Sequence, residues 1–105
     1  MIRNFNVKKG DQFNFTITFT NLKTDLSSIT FGVKKDYEDT SFVIRKTLNN
    51  GIAKIEDGKY QISVSPEETL SLDYGQYVFD LRFTLGSIVK TPLSGYVTVL
   101  ETVFE

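Results

Sequence analysis

The sequence of 105 residues contains no cysteine, no histidine and no tryptophan, and only two prolines. Without cysteine the chain has no disulfide, no thiolate nucleophile and no thiolate metal ligand. Without histidine it lacks the usual general base and the commonest transition-metal ligand. No other set of side chains forms a catalytic or metal-binding motif. We therefore expect a protein that is not an enzyme and holds neither a metal nor another cofactor.

Charges of one sign do not cluster, because 12 Lys and Arg stand against 13 Asp and Glu for a formal net charge of −1. We therefore expect no nucleic-acid partner and no membrane partner. No apolar run approaches the roughly 18 residues of a membrane span. The charged first nine residues are not followed by the apolar stretch of a signal peptide. This composition favours synthesis and residence in a cytoplasm, unless a cell or particle releases the protein.

Aromatic and β-branched residues in alternation are the strongest positive feature. Apolar and polar side chains alternate over residues 13–19 and again over residues 77–85. A period of two residues is typical of a strand with one buried face, so these segments are the best candidates for central strands. Shorter segments around residues 29–33, 60–64 and 93–99 follow the same pattern. We predict one all-β domain over residues 1–105.

Turn signals separate these segments. Asp57-Gly58 and Gly86-Ser87 each lie between two alternating segments, and both predict a two-residue hairpin. With roughly seven to nine short strands, the expected architecture is an antiparallel β-sandwich or a barrel.

Two further segments depart from simple alternation. In residues 42–48, Lys46 falls on the apolar face, which favours an edge strand. Ser65 is followed by Pro66 and, three residues on, by Glu68, which is the pattern of a capping box with proline in the first helical turn. We predict one short helical turn near residues 66–72.

Asp73, Gly75 and Tyr77 have the spacing of a tyrosine corner, in which a hydroxyl at the start of strand F bonds the backbone upstream. The alternative is an ordinary tight turn before a strand. The corner interpretation predicts an immunoglobulin-like β-sandwich.

Antibody domains carry a disulfide cysteine two residues after the corner tyrosine, and Phe79 holds that place here. The same interpretation predicts that Phe79 packs against Phe15 or Ile17 where a disulfide would otherwise join the two layers. Phe31 would stand where a tryptophan commonly packs.

Four residues are candidates for an interface. Tyr37 lies in an acidic loop, and Tyr96 lies on the polar side of the last strand, where a ring is available to stack on sugar or anchor a protein. Ordinary surface placement is the commoner explanation for either tyrosine taken singly. Val103 and Phe104 are apolar residues beyond the last strand, and we expect a neighbouring subunit to hold them.

Several motifs follow one another along nearly the whole chain: Lys8-Lys9-Gly10-Asp11, residues 25–31, Ser65-Pro66-Glu67-Glu68, residues 74–81 and residues 93–99. This order resembles the small immunoglobulin-like domains of tailed phages and prophages, among them the N-terminal domain of baseplate upper proteins. The resemblance implies a non-enzymatic virion structural protein, made in the bacterial cytoplasm, in the tail, baseplate, collar or capsid decoration. Its implied partners are other virion proteins and further copies of itself.

A module that binds carbohydrate or a host receptor is the alternative. Grouping of Tyr37, Tyr74 and Tyr96 on one patch would favour that alternative, with a host-surface glycan as the ligand.

Overall fold

The computed structural model describes residues 2–19 and 26–103, which contain eight strands and one short helix. In chain order these are β1 (Ile2–Lys8), β2 (Phe13–Thr18), β3 (Ser28–Lys34), β4 (Ile44–Leu48), β5 (Gly51–Glu56), β6 (Lys59–Val64), α1 (Pro66–Leu70), β7 (Gly75–Leu85) and β8 (Ile88–Leu100). The all-β prediction is confirmed. The helical turn ends earlier than predicted, at Leu70, although Leu72 beyond it is buried.

Backbone hydrogen bonds connect the strands in the order β1-β8-β7-β3-β4-β5-β6-β2. Most neighbours are antiparallel, but β1 runs parallel to β8, and β4 runs parallel to β5 over two residue pairs. The Phe5 ring on β1 lies 4.9 Å, centroid to centroid, from the rings of Phe13 and Phe15 on β2. Because β1 and β2 are the two ends of the strand order, the sheet folds over on itself. One layer is β1-β8-β7-β3-β4, and the other is β5-β6-β2.

Aromatic rings fill the space between the two layers. Phe31 and Phe79 are 0% and 1% exposed, and their ring centroids are 5.5 Å apart. Phe15 reaches Phe79 through intermediate rings, because Phe31 and Phe5 each contact both of them. Packing of four phenylalanines thus joins the layers where antibody domains have a disulfide.

The Tyr77 side chain is buried at the start of β7, and its hydroxyl donates a hydrogen bond to the backbone carbonyl of Asp73 at 3.0 Å. This is the hydrogen bond that defines a tyrosine corner. Gly75 lies between the two residues with φ 128°, in the region that favours glycine.

The parallel pairing of β1 with β8 depends on another glycine. Gly95 lies opposite Arg3 in this pairing, and its φ is 150°. A Cβ atom at Gly95 would overlap the carbonyl oxygen of Arg3. Only a residue without a side chain therefore lets β1 approach β8 this closely.

The predicted edge strand at residues 42–48 is wrong in two respects. The strand begins at Ile44, and β4, although last in its layer, is not an open edge, because it pairs with β3 on one side and with β5 over two residues on the other. Lys46 points inward with 14% of its side chain exposed, and its Nζ atom lies 2.6 Å from Oε1 of Glu68. An ion pair to α1, rather than an open sheet edge, explains this lysine.

Glu68 takes part in the capping box as well as in this ion pair. Ser65 donates to the Glu68 carboxylate through its backbone nitrogen and its hydroxyl, and the Ser65 hydroxyl accepts from the Glu68 backbone nitrogen. Burial raises the pKa of Glu68, but the hydrogen bonds from Lys46 and Ser65 outweigh burial and hold it below its ordinary value. The ion pair between Lys46 and Glu68 therefore connects α1 to β4, and the capping hydrogen bonds hold Glu68 in place for it.

Candidate functional site

The outer side of the β1-β8-β7-β3-β4 layer carries the side chains that alternate with the buried ones. Strand register places outward-facing residues in rows across this layer. One row contains Arg45, Gly32, Asp80 and Ser94, and the next contains Lys34, Val78, Tyr96 and Asn4. Aromatic, acidic and basic groups from four strands thus share one surface.

The loop between β3 and β4 folds back over this surface. Lys34 donates a hydrogen bond through Nζ to the backbone carbonyl of Asp39 at 2.9 Å. Within the loop, the Asp39 backbone nitrogen donates to the Asp36 carbonyl, and the Asp36 backbone nitrogen donates to the Asp39 carboxylate. These bonds form a tight turn, and the loop brings Tyr37 and Phe42 to the surface.

The Phe42 ring lies against the sheet at Gly32, where any Cβ atom would overlap it. The Lys34 ammonium group lies 4.9 Å, and the Arg45 guanidinium group 5.8 Å, from the ring centroid. Both are within cation–π range. The ring is nevertheless 47% exposed, so it presents apolar surface to solvent.

Tyr37 and Tyr96 lie on the same side of the layer, Tyr96 on β8 opposite Val78 and Tyr37 in the loop that also lines the space beside Asp80. Partial desolvation raises the pKa of the Tyr37 hydroxyl, and the charges of Asp80 and Tyr96 raise it further. The two rings are 60% and 40% exposed. Two of the four interface residues predicted from the sequence therefore lie on the same side of this layer.

Asp80 is the acidic group at the centre of this arrangement. Burial raises the pKa of its carboxyl group, while the nearby charges of Arg82 and Lys34 act in the opposite direction. No residue in the described part of the chain donates a hydrogen bond to this carboxylate or forms an ion pair with it. Asp80 is thus partly desolvated and available as an acceptor.

These side chains enclose an open groove of about 470 Å³, which we call the outer groove. Its lining includes two aromatic rings, three cations and one carboxylate, contributed by Tyr37, Phe42, Lys34, Arg45, Arg82 and Asp80. Phe42, Asp80 and the three cations are not among the interface residues predicted from the sequence. The one local signal for Asp80 and Arg82 was charge on the outer side of a strand whose inner side is strongly apolar.

The other predicted interface residues lie elsewhere. Val103 follows β8 and is 90% exposed, seven positions beyond Tyr96 along the chain. Phe104 lies outside the described residues. Tyr74 precedes β7, with the Lys9 ammonium group 5.1 Å from its ring centroid. Of the three tyrosines, Tyr37 alone lines the outer groove, and Tyr96 lies on the same side of the layer opposite Val78, so the three do not form one patch.

Within residues 2–19 and 26–103, no three side chains of His, Cys, Asp or Glu lie close enough together to hold a metal ion. In the same part of the chain, no helix has the length and apolar character needed to cross a membrane.

Neither a protein-family model nor a curated protein matches the sequence. Solved structures do match. One is an endo-β-1,4-mannanase from Thermotoga petrophila, with 14% identity and a TM-score of 0.62, and the match covers 94% of this chain and 18% of that chain. A second is the immunoglobulin-like domain of mouse leukocyte-associated immunoglobulin-like receptor 1, a strand-swapped dimer, with 7% identity and a TM-score of 0.58 over 92% and 88%. The fold is immunoglobulin-like.

A third similar structure is a glycoside hydrolase-like protein of Bacteroides vulgatus, with 13% identity and a TM-score of 0.58 over 95% of this chain and 17% of that chain. This chain therefore spans less than a fifth of the length of either bacterial protein. At these identities the likeness concerns the fold alone.

Proposed function

We propose that this chain is a non-enzymatic structural protein of a bacteriophage particle, acting as a subunit of the tail, baseplate, collar or capsid decoration. The order of motifs along the sequence supports the phage assignment, and the immunoglobulin-like fold agrees with what that resemblance implies. None of the three structures compared above is a phage protein, so the assignment depends on the sequence resemblance. In this role the protein works by contact with other virion proteins and with copies of itself.

The observation that carries the proposed assembly role is the hairpin tip, residues 86–91, between β7 and β8. Every residue of the tip is exposed, and Ile88 and Val89 are 50% and 56% exposed. Since consecutive residues of a strand point to opposite faces, neither face of this segment is covered. Fully burying a Val or Ile side chain contributes about 1.5–3 kcal/mol, so the tip favours burial against another protein.

The double variant Ile88→Ser/Val89→Ser tests this role. We expect the unaltered protein to sediment as an oligomer and to be found in purified particles by mass spectrometry. The double variant should shift toward monomer with its melting temperature nearly unchanged, because both side chains are exposed. Ile55→Ser is the matched control, since Ile55 is also 50% exposed but lies on β5.

A monomer at every concentration, together with absence from purified particles, would contradict the proposed function. Equal loss of assembly in Ile55→Ser would show instead that general surface hydrophobicity drives association.

A further inference from the structure

We propose that the outer groove is a binding site for a neutral oligosaccharide. The groove lies on the outer side of β3, β4 and β7, and the inference does not rest on the proposed virion role. Its volume of about 470 Å³ is within the range of about 300–1,000 Å³ that is usual for ligand sites.

The rings of the groove offer flat apolar surface that is held in place. Phe42 lies against Gly32 with Lys34 and Arg45 within cation–π range and is still 47% exposed, and the bond from Lys34 to the Asp39 carbonyl holds the loop that carries Tyr37. A pyranose ring has an apolar face of C–H groups that suits such a surface. Exposed rings that are already ordered lose little conformational entropy on binding.

The polar groups of the groove include both donors and an acceptor. Arg45, Arg82 and Lys34 only donate hydrogen bonds, whereas the Asp80 carboxylate only accepts them. A sugar hydroxyl does both, so adjacent hydroxyls of one ring satisfy both kinds of group. Asp80 has no hydrogen-bond partner among the described residues, and burial has removed part of its hydration. A sugar hydroxyl that donates to the carboxylate therefore displaces little bound water and supplies a hydrogen bond.

The charged side chains of the outer groove favour a neutral ligand over a cationic or an anionic one. A cationic ligand would meet Lys34, Arg45 and Arg82 in the same groove, and an anionic ligand would be placed against Asp80. The cations also have partners already, since Lys34 and Arg45 lie over the Phe42 ring and Arg82 donates to Thr91. Among the described residues the Asp80 carboxylate has the cations Lys34 and Arg82 nearby but no hydrogen-bond donor, and a neutral polyol supplies a donor without repulsion.

The test is an NMR titration of the full isotope-labelled chain with cellohexaose, mannohexaose and chitohexaose, and with hexagalacturonate as the anionic probe. At least one neutral sugar should shift amide signals in residues 30–45, 78–82 and 94–96, with a Kd in the millimolar range or tighter. Hexagalacturonate should bind more weakly than that sugar.

Tyr37→Ala should weaken binding by about threefold to tenfold, the amount expected from loss of one stacking ring. Asp80→Asn should weaken it as well, because an amide loses part of the acceptor capacity while keeping the side-chain shape. Tyr74→Ala is the matched control, because Tyr74 is 40% exposed, like Tyr96, but lies outside the groove. Melting curves of all three variants establish that they are folded.

If none of the three neutral sugars shifts any amide signal, or if the shifts are confined to other parts of the chain, the proposal is overturned. Tighter binding of hexagalacturonate would overturn the assignment to a neutral ligand. An equal loss of binding in Tyr74→Ala would overturn the assignment of the binding site to the outer groove. Each of these results leaves the virion role standing, because that role is tested by sedimentation and by particle composition.

Discussion

Phe31 and Gly32 are neighbours on β3, and they show how differently the two sides of the larger layer are built. The Phe31 ring faces inward, is 0% exposed and packs between Phe15 and Phe79. Gly32 faces outward and provides the bare backbone on which the Phe42 ring lies. The inner side is formed by side chains of the strands themselves. The outer groove depends on a loop that folds back onto the strands.

This difference gives the two sides different tasks. Inner rings are closely packed and shared between layers, so a change there affects the whole fold. The outer rings are 47% exposed at Phe42 and 60% exposed at Tyr37, and the loop that carries them is held by a few hydrogen bonds. A change there affects the groove while leaving the fold in place.

The largest effect is expected from Phe31→Ala. Removing a fully buried ring at the centre of the aromatic cluster should lower the free energy of unfolding by about 3–5 kcal/mol. Phe42→Ala is the matched control, with an expected loss below about 1 kcal/mol because that ring is half exposed. Urea unfolding followed by tyrosine fluorescence measures both values. Similar losses in the two variants would mean that the two sides of the layer are not separate in function.

An intermediate effect is expected from Lys46→Met, which removes the ion pair between β4 and α1. Unfolding at neutral pH should become easier by about 1–3 kcal/mol, because a carboxylate that is only 32% exposed loses its cationic partner. Lys54→Met is the control. Its ion pair with Asp57 is more open, with the Asp57 side chain 71% exposed, so the loss should stay below about 1 kcal/mol.

The same variant should change how stability depends on pH. The pKa of Glu68 is lowered in the folded protein, so its contribution is fully present above the ordinary carboxyl pKa and is lost as pH falls through the lowered folded value. Lys46→Met removes one cause of the lowering and should flatten the stability curve in that acidic window. An unchanged curve in urea titrations at several pH values would show that the Lys46 contact does not stabilise the fold.

The inner side could be predicted from the sequence because it depends on local patterns. Alternation over residues 13–19 and 77–85 predicts the buried faces of two strands. The spacing of Asp73, Gly75 and Tyr77 predicts a tyrosine corner, and Tyr77 does donate a hydrogen bond to Asp73. The capping box of α1 was likewise visible in four consecutive residues. Each of these features is specified by residues close together in the chain.

The outer groove could not be predicted in the same way, because its parts meet only after folding. Phe42 stands ten residues after Gly32, and nothing in that spacing shows that the ring lies on the glycine. The ion pair that explains the inward position of Lys46 is not visible locally in the sequence, because its partner Glu68 lies 22 residues later. Tyr37 and Tyr96 are 59 residues apart in the sequence, and only the fold places both on the side of the layer that carries Asp80.

The most direct test of the division between the two sides is Gly32→Ala, measured for both stability and oligosaccharide binding. The added methyl group overlaps the Phe42 ring and displaces it from the strand, at a small cost in stability because the ring is half exposed. We predict loss of the titration shifts in the outer groove, with the free energy of unfolding changed by no more than about 1 kcal/mol. Binding that survives this substitution, or a loss of stability as large as that of Phe31→Ala, would contradict the account.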